Sequence, residues 1–170
     1  MKAATSFDEY EDAWMGFLDA AYRIPKRIRN AGLQTIGANE NQQFKSWFGT
    51  FEARRDKDPF LRYSFQARNA ETHSIQIATE RQPGKVSFQS TGATHIREIR
   101  GYADGRMELI GSGSPLKVEF TPSKVIMSSV VNRGVEYEPP ENGPPHPHAE
   151  NALPFFEEWI DAAEAKFFSD

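Results

Sequence analysis

Arg68, Asn69 and His73 fall within six residues of one another, in the stretch DPFLRYSFQARNAETH that runs from Asp58 to His73. No other segment sets a cation, an amide and an imidazole so close together on one predicted helix. An imidazole exchanges protons near neutrality, because its unperturbed pKa is about 6.5. A guanidinium is always charged and offers a planar fork that fits a phosphate. Together they suit the cleavage of a phosphodiester, which needs a proton removed from a hydroxyl and charge stabilised on phosphorus. Asn69 and His73 are four residues apart and share a helix face. Arg68 and His73 are five apart, about 140° around an ideal helix. They meet only if the helix ends near Thr72, if Arg68 bends round, or if a second copy of the chain supplies one of them.

The elements that must position these groups are helices. Asp58 is a helix cap and Pro59 fits the first helical position, where its missing N–H costs nothing. Phe60, Leu61, Phe65 and Ala67 give that helix an apolar side. Upstream, Ser6 and Glu9 form a capping box. Phe7, Tyr10, Trp14, Phe17, Leu18 and Ala21 then recur at helical spacing. Pro25 is expected to end or kink this helix. Lys26, Arg27 and Arg29 would sit on a short helix closed by Gly37. Asn39 and Gln42 signal another start, with Phe44, Trp47, Phe48 and Phe51 as its apolar stripe.

After His73 the period drops from near 3.6 to near 2. Ile75 and Ile77, Val86 and Phe88, Met107 and Leu109, Leu116 to Phe120, Val125 to Val131, then Val135 and Tyr137 alternate. Pro83-Gly84, Thr91-Gly92, Asp104-Gly105, Gly111-Ser112-Gly113 and Pro122-Ser123 separate them, with Asp104-Gly105 a tight-hairpin signal. The pattern predicts an α+β protein: a helical unit over 1–73, an antiparallel β unit of five to seven short strands over 74–138, a Pro-rich linker over 139–148, and a helix over 149–170. Together these make one compact domain. Leu153, Phe156, Trp159, Ile160, Ala163 and Phe167 give the last helix a broad apolar face, which predicts that it packs back on the N-terminal helices.

The chain of 170 residues is 38% hydrophobic with thirteen Phe and three Trp, enough for an aromatic core. It has no Cys, which excludes disulfides, thiolate catalysis and Cys-ligated metals. No run approaches the roughly 18 apolar residues of a membrane span. Asp8, Glu9, Glu11 and Asp12 near the start, with no apolar run, do not suit a secretory signal, and a cytoplasmic, bacterial-type protein is expected. Net charge is −4, yet residues 23–68 hold ten Lys or Arg against four acids. That basic middle would attract phosphate if its side chains share a surface, and otherwise forms solvated helix faces.

Arg68-Asn69-x3-His73 in its helical setting resembles the Arg-x4-6-His signature of the HEPN superfamily of helical-bundle proteins, found in bacterial defence and toxin systems. The likeness covers about residues 40–73, with the first and last helices, and excludes the strands. It implies a metal-independent ribonuclease or toxin site, often built across a dimer. His73 would then be the acid/base group, Arg68 would steady phosphate charge and Asn69 would orient both. Arg54, Arg55 and Arg62 are the cations expected to bind the RNA backbone beside them. The structural alternative pairs Arg68 with Glu71 at i,i+3 and leaves His73 at the helix C-terminus. Two further functions compete: a non-catalytic binding or regulatory protein that self-associates through its helices, and a small-molecule-binding protein with a cavity lined by Phe88, Met107 and Phe120. RNA and a second copy of the chain are the expected partners. No cofactor or metal is called for: His146 and His148 alternate as metal ligands can, but two ligands in a Pro-rich segment make a poor site.

Overall fold

The computed structural model describes residues 6–36, 38–74, 76–102, 107–114, 116–141 and 143–168. Gly37, Ile75 and the Asp104-Gly105 turn lie outside the described residues. The chain is α+β and divides into two compact units, one of residues 1–81 with 125–170, the other of residues 82–124.

The first unit is built on three helices. Helix α1 spans Phe7–Thr35, α2 spans Ala38–Lys57 and α3 spans Pro59–Ser74. The caps at two of the starts are as the sequence signals. Ser6 accepts a hydrogen bond from the Glu9 N–H at 3.1 Å, and Asp58 Oδ1 accepts one from the Leu61 N–H at 2.9 Å. Helix α2 begins at Ala38, one residue ahead of Asn39.

Pro25 does not end α1. The helix runs ten residues past it, and Pro25, Ile28 and Gly32 are buried on its core side. Proline in a helix interior costs about 3 kcal/mol, and burial of the following turns offsets that. Gly32 shows how close the packing is: a Cβ there would lie 2.3 Å from the Phe44 ring. Only glycine lets α1 approach α2 at this point.

Helix α4 spans Pro145–Ala163 and widens into a π-helical turn over Glu164–Phe168. It starts inside the stretch expected to be linker, because Pro145 takes the first helical position with Pro144 as its cap. Helix α4 packs on the N-terminal helices as expected. Trp159 is fully buried, its ring parallel to Phe51 at 5.3 Å and beside Phe48 at 5.1 Å. Phe156 joins Trp14, Leu18, Phe60 and Tyr63 in a second cluster. At the other end of α4, the Tyr10 hydroxyl meets His146 Nδ1 at 3.2 Å and accepts from its backbone N–H at 3.3 Å.

Eight short strands are present among the described residues: β1 (Thr79–Gln82), β2 (Lys85–Ser90), β3 (Thr94–Gly101), β4 (Met107–Gly113), β5 (Leu116–Thr121), β6 (Lys124–Met127), β7 (Val130–Asn132) and β8 (Val135–Tyr137). They form four two-stranded antiparallel ladders, β1–β6, β2–β5, β3–β4 and β7–β8, where the sequence suggested one central sheet. The β7–β8 hairpin belongs to the helical unit. Tyr63 ties the strands near it to α3, its hydroxyl donating to the Ser128 carbonyl at 2.7 Å and lying 3.2 Å from that of Ala78. Among the described residues, no helix is long and apolar enough to cross a membrane.

Candidate functional site

Asn69 and His73 do share a face of α3, and that face lines a groove of about 460 Å³. Its other walls are Tyr22 from α1, Phe65 and Gln66 from α3, and Asn132, Arg133, Val135 and Tyr137 from the β7–β8 hairpin. Amide hydrogen bonds tie the hairpin to α3 and to the segment that follows it. Asn132 Nδ2 donates to Gln66 Oε1 at 2.6 Å, and the Val131 N–H donates to Gln76 Oε1 at 2.7 Å. Asn132 and Val135 are paired, so the loop is the two residues Arg133 and Gly134. Both have positive φ, 51° and 78°, the pattern of a type I′ turn. Arg133 is thereby held at the rim of the groove, exposed and with no ion-pair partner among the described residues. His73 is exposed and likewise unpaired. Among the described residues, no carboxylate lines the groove.

Arg68 is placed elsewhere. It is on the same helix, which continues without a break through Ser74, and it is not among the groove's lining residues. Its Nε is 3.2 Å from Asp19 Oδ1 on α1, and its guanidinium lies 4.0 Å from the centroid of the Tyr22 ring. The side chain is only 17% exposed. The same Tyr22 ring carries Lys26 at 4.2 Å, so one aromatic side chain sits beside two cations. The i,i+3 pairing of Arg68 with Glu71 does not form. Glu71 instead reaches past the end of α3, where its Oε1 accepts the Ala78 N–H at 3.0 Å. Its Oε2 is buried without a hydrogen-bond partner among the described residues. Burial lifts the Glu71 carboxyl from an ordinary 4.5 to about 7, against the Ala78 hydrogen bond, with Glu11 and Asp19 adding to the rise.

The three further arginines expected around His73 have separate duties. Arg54 makes a two-pronged ion pair with Glu158 of α4, at 2.6 and 2.7 Å, and lies over Phe51 and Phe155. Arg55 is bonded to Asp56 and lies 4.4 Å from the Phe65 ring centroid. Arg62 lies 5.7 Å from the Tyr137 ring centroid and lines a neighbouring cavity of about 470 Å³ that also holds Asp56, Glu136 and Glu138. The two alternating histidines diverge: His146 meets Tyr10, and His148 stacks on Phe60 at 5.2 Å with Glu141 at 3.7 Å. Phe88 and Phe120 are exposed on the two-stranded β2–β5 ladder.

Asn132 and Arg133 were not among the residues the sequence pointed to. The available signal was Gly134 with short apolar alternation on both sides of a two-residue gap. Arginine before that glycine is not a usual I′ residue, so the turn did not announce itself. No family model, curated protein or solved structure matches the chain.

Proposed function

We propose that this protein binds a phosphate-bearing ligand in the groove between α3 and the β7–β8 hairpin. The observation that carries this is Arg133: a guanidinium with no ion-pair partner among the described residues, in a backbone conformation that costs a non-glycine residue about 1–2 kcal/mol, lining a groove with no carboxylate among its described residues. A guanidinium and an imidazole supply charge, and the Asn69, Gln66 and Asn132 amides supply donors and acceptors. Tyr22, Phe65 and Tyr137 give the groove flat apolar walls. The test is calorimetric titration of the purified chain with inorganic phosphate, comparing wild type with Arg133→Asn. Asparagine suits the turn better than arginine and removes the cation. Loss of binding in a variant that stays folded supports the proposal; equal binding by both proteins overturns it.

A catalytic form of the same proposal rests on His73 and Asn69 lining the groove with Arg133. Here Arg133 would take the phosphate-steadying role expected of Arg68, and His73 would move the proton in a metal-independent cleavage of RNA. His73→Ala should then lower cleavage of labelled RNA in chelator by about 10²–10⁴-fold. Equal rates for wild type and variant remove the catalytic form and leave binding.

A further inference from the structure

The amides of the groove beside α3 are not equally engaged. Asn132 Nδ2 and Gln66 Oε1 satisfy each other at 2.6 Å. That bond leaves the complementary halves, Asn132 Oδ1 as an acceptor and Gln66 Nε2 as a donor. The Asn69 side-chain amide makes no hydrogen bond among the described residues, although it is half-buried and lines the groove. A carboxamide with both ends open presents one donor beside one acceptor in a single plane. A nucleobase edge is a flat group that can answer both at once. Adenine, with an amino donor beside a ring-nitrogen acceptor, is the base that a carboxamide pairs with through two hydrogen bonds.

The rings are not equally engaged either. Tyr22 has Arg68 at 4.0 Å and Lys26 at 4.2 Å from its centroid, and Phe65 has Arg55 at 4.4 Å. These two rings, 5.0 Å apart, are thus already packed against each other and against cations. Tyr137 differs. It lines both this groove and the neighbouring cavity, and its cation, Arg62 at 5.7 Å, lines the neighbouring cavity and not this one. The groove side of Tyr137 is left for a flat ring. Stacking on an aromatic side chain accepts any base, so Tyr137 would hold the base and the amides would choose it.

We propose that the ligand of this groove is an adenine nucleotide, its base stacked on Tyr137 and paired with Asn69, its phosphate on Arg133. This rests on the phosphate binding proposed above, to which it adds the base. The volume of about 460 Å³ falls in the range of sites that take one small molecule, about 300–1,000 Å³. Along α3, Phe65, Gln66, Asn69 and His73 line the groove over about 12 Å at 1.5 Å per residue.

The test is calorimetric titration of the full chain with adenosine monophosphate and, separately, with ribose phosphate, the same molecule without its base. Wild type should bind the nucleotide about 5–150-fold more tightly, the range for one stacked base. Asn69→Ala, an exchange that favours the helix, should weaken nucleotide binding at least about five-fold and leave ribose phosphate binding unchanged. Tyr137→Leu keeps apolar packing and should do the same. A short oligoadenylate distinguishes the two sources of the nucleotide: tighter binding than the monomer means a unit read within a strand, weaker binding a free nucleotide. Equal affinity of wild type for nucleotide and ribose phosphate overturns the adenine proposal and leaves phosphate binding standing. A preference that survives both substitutions overturns it as well. Binding of neither ligand overturns both proposals.

Discussion

Arg133 occupies the left-handed region at φ 51°, beside Gly134 at 78°. Asparagine tolerates that region far better, so Arg133→Asn should relieve up to about 1 kcal/mol and raise the melting temperature by about 2–4 °C. A lower melting temperature on calorimetry would mean that the arginine stabilises the hairpin in some other way. Glu71 gives a second residue-scale expectation, one of pH. Its carboxyl rises from 4.5 to about 7 on folding, so between those values the folded state holds more protons than the unfolded one. Stability from this group is therefore greatest below about pH 4.5, declines as pH rises to 7 and is level beyond. Glu71→Gln should flatten that decline in urea midpoints measured from pH 5 to pH 8. An unchanged slope would assign the dependence to another group.

At the scale of elements, the caps and apolar stripes were legible because they are local. Ser6 and Asp58 announce helices whose first free N–H groups they go on to satisfy. The period-2 runs announced strands. Local signals did not reveal α1 passing Pro25, since burial of Ile28 and Gly32 against other elements decides that. Nor did they reveal that Arg68 bonds to Asp19, forty-nine residues away, in place of its near neighbour Glu71. Asn69 and His73 were found together because i,i+4 spacing is a property of one helix; Arg133 came to them through a tertiary contact. Gly32 tests the closeness of the α1–α2 packing. A methyl group there meets the Phe44 ring at 2.3 Å, so Gly32→Ala should destabilise by about 1–3 kcal/mol despite alanine's better helix propensity. A gain in stability on chemical denaturation would show that Phe44 moves aside freely.

At the scale of the whole molecule, the chain joins a helical unit with two aromatic clusters to a second unit, residues 82–124, in which no described residue is buried. Trp159 packs against Phe48, Phe51 and Phe155 in one of those clusters. Trp159→Ala should cost about 3–5 kcal/mol, seen as a lower denaturation midpoint; no loss would remove α4 from the stabilising core. The groove beside α3 is the proposed ligand site. It is tested most directly by amide chemical-shift mapping of the full chain titrated with inorganic phosphate. Saturable shifts concentrated at Asn69, His73, Asn132, Arg133 and Gly134, absent in Arg133→Asn, are the predicted result. Shifts centred on Arg54, Arg55 and Arg62, or small shifts spread over every basic residue, would contradict it.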